Sequence, residues 1–481
     1  MKNALLISVL LTTALVFGQT CDCKKNFEWV KQTFEENDAG FSYALQQKGT
    51  HVYEIHTKQI LKKVKSAKTL QKCTPILYEW LTFFRSGHIA IRLNEQQWSQ
   101  ASNKKKTENN FSNWETYPID ISEFKSYLDN NILDYEGIWE TEPYKIGIKK
   151  EGDKYIGFII ESGATTWTKG QVKLKFDVSG EKANAVFYRR DHSAVETDVV
   201  TLIGKNHLQI GNFNLVRIYP QLVDEPKFEQ YFKMLDAQTP YMEQLNETTL
   251  YFRIPSFQAF QKQAIDSVIR VNRDKILTTE NLIIDIRNGT GGSDVSFNGL
   301  LPFIYTNPIR TVSVEYLSTT LNNQRMLDFI TNPDYEFDEE DKKWAKESFE
   351  KLDKQQGQFV NVDDEDVTVT KFDTVYTYPK NVGIIINQQN GSTDEQFLLS
   401  AKQSKKVKLF GTTTFGVLDV SNMYFVPSPC NEFQLGYALS RSMRIPDFTI
   451  DEKGIQPDFY LDKSIPLYEW VEYVDEVLNG K

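Results

Sequence analysis

The chain has 481 residues, more than a single hydrophobic core usually serves, which indicates about two to four domains. Its formal net charge is -10, which excludes the extended basic surface that follows a nucleic-acid backbone. Nucleic acid is therefore not an expected partner.

Residues 1–19 have the pattern of a secretory signal peptide, in which an apolar run follows Lys2 and ends at Phe17. This run is shorter than the ~18 residues of a membrane-spanning helix, and no later apolar run reaches that length. We therefore expect an exported protein without a membrane span, either periplasmic or secreted. A lipid anchor on Cys21 is the competing interpretation.

Four cysteines stand at positions 21, 23, 73 and 430, and export would permit them to form disulfides. Three pairings are possible, of which we favour a bond from Cys21 or Cys23 to Cys73. The five histidines do not cluster with cysteines or carboxylates at metal-ligand spacing. We therefore predict no metal and no cofactor.

Residues 20–125 show helical periodicity. The apolar face of the first predicted helix consists of Phe27, Val30 and Phe34. A later helix is predicted to begin with Thr74 as its cap and Pro75 at its first position. His88 follows that helix and precedes an alternating stretch typical of a strand. This order predicts a helix-to-strand corner, where the ring can face a cleft; a purely structural histidine is the alternative.

Residues 126–222 change to short alternating runs separated by turn residues, which predict a small β domain. Roughly six to eight strands at this spacing suit a barrel or a sandwich. Residues 223–481 instead alternate strands such as 249–254 and 282–286 with helices, which predicts a parallel or mixed sheet. The fold class is therefore α/β in a multidomain chain.

Ser392 lies between a predicted buried strand, 382–386, and a predicted helix, 395–405. Such a turn at the carboxyl end of a parallel sheet points backbone N–H groups into a crevice, where a serine can act as a nucleophile. Ser392 and Glu395 also have the spacing of a capping box, and this local pattern alone favours the cap.

A second informative stretch, LIIDIRNGTGGSD, covers residues 282–294 and contains three glycines after a predicted strand. Glycines allow close backbone approach and positive φ, by which N–H groups are aimed at a developing oxyanion. A tight turn or a phosphate cradle remains an alternative for this segment alone.

Four motifs in this order resemble the C-terminal processing (tail-specific) serine peptidase family. They are DIRNGTGG at 285–292, NGSTDEQF at 390–397, GTTTFG at 411–416 and GIQPD at 454–458. The resemblance covers about residues 225–465. It implies a ClpP/crotonase-like mixed-sheet peptidase core and an enzyme that acts on peptides or unfolded proteins. A PDZ domain, which many members carry, is not recognised in the β region.

The resemblance places Ser392 on the family nucleophile, but the lysine base of the best-known branch is replaced by Val417. The nearby lysines at 402, 405, 406 and 408 are interpreted as surface charges. The tricorn-like branch uses histidine as the base, and His88 in the segment SGHI resembles it. That branch has an acidic partner that registers on Asp451, although a shift of one residue would select Glu452.

The chemistry needs a base within hydrogen-bond reach of the serine and donors for the tetrahedral oxyanion. The resemblance implies that Gly291 or Gly292 and Thr393 supply these donors through their backbone N–H groups. The sequence therefore predicts an exported serine endopeptidase. Two alternatives remain: a peptide- or hydrophobe-binding protein that has lost catalysis, and a serine peptidase that takes its base from another lysine.

Overall fold

A computed structural model describes residues 22–94, 111, 113–118, 120–131, 134–180, 182–335 and 337–481. The expected signal peptide and Cys21 lie outside these residues. The α-helices of the described chain are α1 (Cys23–Asn37), α2 (Phe41–Lys48), α3 (Thr50–Ser66), α4 (Leu70–Leu81), α5 (Ile121–Asp129), α6 (Pro226–Asp236), α7 (Lys262–Ile276), α8 (Leu301–Ile304), α9 (Thr320–Thr331), α10 (Glu339–Asp353), α11 (Thr393–Ala401) and α12 (Trp470–Leu478).

The strands of the described chain form four sheets, and all are numbered in chain order. They are β1 (Ala90–Leu93), β2 (Gly137–Thr141), β3 (Tyr144–Glu151), β4 (Lys154–Ser162), β5 (Val172–Ser179), β6 (Lys182–Tyr188), β7 (Ala194–Thr197), β8 (Val200–Ile203), β9 (His207–Ile210), β10 (Phe213–Tyr219), β11 (Tyr241–Gln244), β12 (Thr249–Arg253), β13 (Asn281–Asp285), β14 (Ile309–Val312), β15 (Val314–Leu317), β16 (Phe359–Val360), β17 (Val367–Thr370), β18 (Asn381–Ile386), β19 (Val407–Gly411), β20 (Val420–Pro427), β21 (Phe433–Ser442) and β22 (Phe459–Tyr460).

The chain divides into two units. The first comprises residues up to Lys105 together with Gln238–Ile465 and Tyr473–Lys481, and the second comprises Lys106–Ala237 and Pro466–Glu472. The mixed α/β multidomain fold predicted from the sequence is confirmed.

The second unit contains nine strands in one antiparallel sheet, ordered β7-β6-β5-β4-β3-β2-β10-β9-β8. Alternate side chains of these strands form its apolar core, which includes Trp139, Ile146 and Phe176. Lys173 lies buried in this core, with its ammonium group 3.9 Å from the centre of the Trp167 ring. Such a contact offsets part of the cost of burying a charge.

The first unit is built on a six-stranded sheet ordered β11-β12-β13-β18-β19-β22. Its strands from β12 to β22 run parallel, and only β11 is antiparallel. Their apolar residues are buried on both faces, as expected for a parallel sheet covered by helices. Because parallel strands end at the same edge, the loops after β13, β18 and β19 meet there.

The N-terminal helices pack on a second sheet of the same unit, and their shared core includes residues of α1, α4 and β21. The predicted apolar face of α1 is confirmed, since Phe27, Val30 and Phe34 are all buried. A disulfide joins Cys23 at the start of α1 to Cys73 in α4, as one of the two favoured pairings predicted.

The predicted start of α4 at Pro75 is wrong. The helix begins at Leu70, where the hydroxyl of Thr69 accepts a hydrogen bond from the backbone N–H of Lys72 at 3.3 Å. Thr69 is an equally suitable cap, and the disulfide at Cys73 fixes the turn that precedes Pro75. Tertiary contacts therefore outweigh the local Thr-Pro start signal.

Candidate active site

Ser392 occupies a strained turn between β18 and α11. Its φ is 57° and its ψ is -121°, a left-handed conformation that favours glycine. Backbone strain of this kind persists only where the surrounding fold maintains it, and it is found mainly at active sites. The serine side chain makes no capping hydrogen bond to α11, so the capping-box interpretation is wrong.

Glu395 forms hydrogen bonds beyond the contact with the Ser392 backbone that a capping box would give it. Its buried carboxylate accepts hydrogen bonds from the backbone N–H groups of Gly416 at 2.8 Å and Val417 at 2.9 Å. It also accepts one from the hydroxyl of Thr414. Burial raises the pKa of Glu395, while these donors oppose that shift. The contacts attach the GTTTFG loop to the first turn of the serine helix.

His88 reaches Ser392 from the turn between α4 and β1. Its Nε2 lies 3.2 Å from the Ser392 hydroxyl oxygen, and its Nδ1 lies 2.7 Å from the carbonyl oxygen of Val420. A carbonyl oxygen can only accept, so Nδ1 carries the proton and Nε2 is left to accept one from the serine. The neutral imidazole is thus in the tautomer that a general base requires.

The histidine turn is held by Arg85. The guanidinium donates to the carbonyl oxygens of Gly87 at 2.9 Å and His88 at 2.8 Å, and it forms a buried ion pair with Asp38 at 2.6 Å. The backbone of His88 also has a positive φ, of 51°. Arg85 and Asp38 therefore stabilise a conformation that the turn would not favour by itself.

The environment of the imidazole disfavours its charged form. Burial, with a further contribution from the positive charge of Arg85, lowers the pKa of His88 to about 4. The ring is therefore neutral at pH 7 and available to accept a proton.

Val417, at the position of the family lysine, fills the space beside the serine turn. A Cβ added to Gly87 would lie 2.2 Å from the side chain of Val417, and one added to Gly391 would lie 2.6 Å from it. Two glycines thus permit the histidine turn and the serine turn to close around one valine. A lysine side chain would not fit in this space without displacing one of them.

The lysines considered as alternative bases lie elsewhere. Lys408 is in register with Gly383 near the beginning of β18, and Ser392 follows the end of that strand. Lys402 contacts the carbonyl oxygen of Gln456 at 3.4 Å. This arrangement does not support a lysine base from the 402–408 segment.

Asp451 is connected to the histidine through the backbone of Val420. Its carboxylate accepts from the backbone N–H groups of Leu418 and Asp419, both at 2.6 Å, and from that of Val420 at 3.2 Å. Burial and the negative charge of Asp419 raise the pKa of Asp451 to about 7. Asp451 therefore orients the residue whose carbonyl accepts from His88.

The two acidic candidates hold different backbone segments. Asp451 is itself held by a third acid, Asp419. The Asp419 carboxylate accepts from the backbone N–H of Asp451 at 2.8 Å and forms an ion pair with Arg444 at 3.0 Å. Glu452 instead accepts from the backbone N–H of Ser86 at 2.8 Å, two residues before the histidine. Each acid thus acts on one backbone segment next to the imidazole.

The glycine loop lies directly against the serine. A Cβ added to Gly291 would come within 2.8 Å of the Ser392 Cβ. The Gly291 N–H donates to the carboxyl group of Asp394 at 3.2 Å. Across the described ranges, no acceptor is found for the backbone N–H of Gly292 or of Thr393, so these two amides are available to an oxyanion.

Several of these contacts could not be read from the sequence. Arg85 stands next to the SGH segment and gives a weak local signal, but Asp38 is 47 residues away from it. The carbonyl oxygen of Val420 carries no sequence signal, because every residue has one. Asp394 follows the serine by two positions and belongs to the NGSTDEQF motif, one residue before the predicted helix.

Among the described residues, no group of three or more histidine, cysteine or carboxylate side chains is arranged to hold a metal ion. Every helix in the described part of the chain is too short or too polar to cross a membrane.

Comparisons with known proteins give a family match and a shared fold. Residues 248–461 match the model of Peptidase family S41. Mature CPAF shares the fold over 95% of this chain and 96% of its own, with a TM-score of 0.52 and 12% identity. Its complex with lactacystin aligns over 95% and 99%, with a TM-score of 0.51 and 13% identity.

The photosystem II D1 C-terminal processing protease aligns over 95% of this chain and 97% of its own, at 11% identity. Its TM-score of 0.39 is too low to add weight. Among curated protein sequences, none matches this chain. The match over residues 248–461 supports a serine-type peptidase of the C-terminal processing kind.

Proposed function

We propose that this serine peptidase is an exported endopeptidase in which Ser392 forms the acyl-enzyme and His88 is the general base, as in the tricorn-like branch. The observation that carries the proposal is the distance of 3.2 Å between His88 Nε2 and the Ser392 hydroxyl oxygen. It lies at the limit of the roughly 2.6–3.2 Å expected for a base and its nucleophile.

In the first step His88 takes the serine proton as the hydroxyl oxygen attacks the scissile carbonyl carbon. The resulting imidazolium returns that proton to the leaving amine, and the acyl-enzyme remains on Ser392. Water, activated by the same imidazole, then releases the acid product. Through both halves, the Val420 carbonyl keeps the proton on Nδ1.

The oxyanion of the tetrahedral intermediate would be bound by the backbone N–H groups of Gly292 and Thr393. Gly291, the third predicted donor, is less suited because its N–H is bonded to Asp394. Removal of one such donor typically costs about 2.7–4 kcal/mol of transition-state stabilisation. Asp451 supports the base indirectly, through the Val420 backbone.

Export is supported by the predicted signal peptide and by the disulfide between Cys23 and Cys73, since such bonds persist in oxidising compartments. The substrates would be peptides or unfolded proteins, because the family acts on peptide bonds. The division into a signal peptide, a helical region, a β domain and a peptidase core is part of the same proposal.

The test combines covalent labelling with hydrolysis of an unstructured protein. Wild type should react with a fluorophosphonate at Ser392, and both Ser392→Ala and His88→Ala should lower kcat/KM by about 10⁴- to 10⁶-fold. Matched controls are Ser400→Ala in the same helix and His51→Ala on the exposed face of α3. Both controls should retain activity.

An unlabelled, inactive wild type would instead favour the peptide- or hydrophobe-binding alternative. Full labelling with activity that survives His88→Ala would remove His88 from the proposed role and point to a base elsewhere.

A further inference from the structure

The first turn of α11 is attached to the glycine loop at two points. The Asp394 carboxyl accepts a hydrogen bond from the backbone N–H of Gly291 at 3.2 Å. The Thr393 hydroxyl donates to the carboxylate of Asp294 at 2.8 Å. Two consecutive residues of the serine helix therefore bond to the loop on either side of Gly292.

Asp394 is completely buried, which is unusual for a carboxyl group. One of its oxygens also accepts from the Asn390 side-chain amide at 3.0 Å, while the other has no hydrogen-bond partner. The same amide of Asn390 donates to the carbonyl oxygen of Ile286 at 2.6 Å. Burying a carboxyl group is costly, and the contacts with Gly291 and Asn390 offset part of that cost.

The loop is shaped to receive this carboxyl group. A Cβ added to Gly289 would lie 2.6 Å from an Asp394 carboxyl oxygen, so no larger residue fits there. Gly291 is buried with its N–H directed at the carboxyl, while Gly292 is exposed. The contact with Asp394 therefore occupies one amide of the loop and leaves the next one available.

We propose that Asp394 is a positioning residue that fixes the spacing between the Gly292 and Thr393 N–H groups, with the Thr393–Asp294 bond as its second attachment. This inference rests on the proposed function, because it concerns the site where the oxyanion would form. Asp394 does not contact the reacting atoms and acts through the Gly291 backbone.

Asparagine is the conservative replacement. Burial raises the pKa of Asp394 to about 7, so the neutral acid is a substantial fraction of the enzyme near neutral pH. An asparagine retains an oxygen that can accept from Gly291, whereas alanine removes the acceptor. The two substitutions therefore separate loss of the contact from loss of charge.

The experiment compares Asp394→Asn and Asp394→Ala with Ser400→Ala, a second buried polar residue of α11. We expect Asp394→Ala to lower kcat about 10- to 100-fold, with KM within about twofold, because the oxyanion donors shift while substrate binding remains. The affinity for a peptide aldehyde, whose hemiacetal resembles the intermediate, should fall by a similar factor. Asp394→Asn should recover most of both values.

Amide hydrogen exchange in residues 286–294 is the second readout, and it does not depend on catalysis. Exchange there should increase in Asp394→Ala, and remain near the wild-type rate in Asp394→Asn and Ser400→Ala. A raised KM with unchanged kcat, or unchanged exchange in Asp394→Ala, would overturn the inference. If fluorophosphonate fails to label the wild type, the proposed function is contradicted. The exchange measurement would still show whether Asp394 holds the glycine loop in place.

Discussion

The serine turn and the histidine turn are both strained, but they are held in different ways. Ser392 lies between a strand and a helix of the central sheet, and its neighbours Asn390, Asp394 and Glu395 bond to the loops after β13 and β19. His88 depends on the carbonyl oxygen of Val420, which is distant in sequence, and on Asp38 and Asp451, which act on it through Arg85 and the Val420 backbone. The nucleophile thus lies in one strand-to-helix turn that is readable from the sequence, whereas its base is brought to it only by the tertiary fold.

The largest expected effect comes from breaking the buried ion pair that holds the histidine turn. Arg85→Ala leaves the Asp38 carboxylate buried without its partner, which should lower the free energy of unfolding by about 3–5 kcal/mol. Activity should also fall, because the Gly87 and His88 carbonyl groups lose their donor. Denaturant unfolding and peptide hydrolysis measure the two effects.

Arg85→Lys separates charge from geometry, since lysine keeps the positive charge but not the planar donor fork. It should be more stable than Arg85→Ala and still lose activity. The control is Lys63→Ala, which removes an exposed pair with Glu79 and should cost less than about 1 kcal/mol. Equal stability of the alanine variant and wild type would contradict the proposed support.

A second substitution tests the close approach of the two turns. In Gly87→Ala the new Cβ would lie 2.2 Å from Val417, so the histidine turn must shift away from the serine. A displacement of about 1 Å typically costs about 100-fold in rate, and we expect a loss of kcat of that order. Steady-state kinetics provide the measurement.

The double variant Gly87→Ala, Val417→Ala removes the Cγ atoms of residue 417, of which Cγ1 would lie 2.2 Å from the new Cβ, and leaves one contact of 2.8 Å with the remaining Cβ. It should recover activity to within about tenfold of wild type, and Val417→Ala alone should change kcat little. Failure of the double variant to recover would show that Gly87 is needed for another reason.

A third comparison ranks the two acidic candidates. Asp451→Asn weakens the contacts to three backbone N–H groups next to the His88 acceptor, and we expect about a tenfold lower kcat/KM. Glu452→Gln affects only the Ser86 N–H and should have a smaller effect. Asp458→Asn, which alters a contact with the Leu409 N–H near the same motif, is the control. A greater loss in Glu452→Gln would reverse the ranking.

The smallest predicted effect concerns the dependence of kcat/KM on pH. Because the pKa of His88 is lowered to about 4, the neutral base persists well below pH 6.5, and kcat/KM should decline only as the pH approaches 4. Because the His88 pKa is lower in the folded state, the folded chain binds fewer protons than the unfolded chain between about pH 4 and pH 6.5. The stability contributed by the neutral histidine is thus present above about pH 6.5 and is lost as the pH falls through about 4.

Arg85→Lys keeps a positive charge near the ring and should leave this acid limb nearly unchanged. Arg85→Ala should move it to higher pH because one cause of the lowered His88 pKa is removed. An acid limb centred near pH 6.5 in wild type would contradict the buried, neutral imidazole.

The sequence alone indicated the mixed α/β fold, the order of the four motifs and the turn that carries Ser392, because these depend on periodicity and local spacing. It was less informative where two local signals competed. Ser392 and Glu395 have the spacing of a cap, yet the serine side chain makes no capping hydrogen bond and lies 3.2 Å from His88 Nε2 instead.

Only the tertiary structure decided which groups meet. It brought His88 to Ser392 across 304 positions, put a carbonyl oxygen where a carboxylate was expected, and turned the Gly291 amide toward Asp394. The physical reason is that hydrogen bonds and ion pairs between distant segments depend on ångström-scale positions set by packing. Local propensity contains no information about those positions.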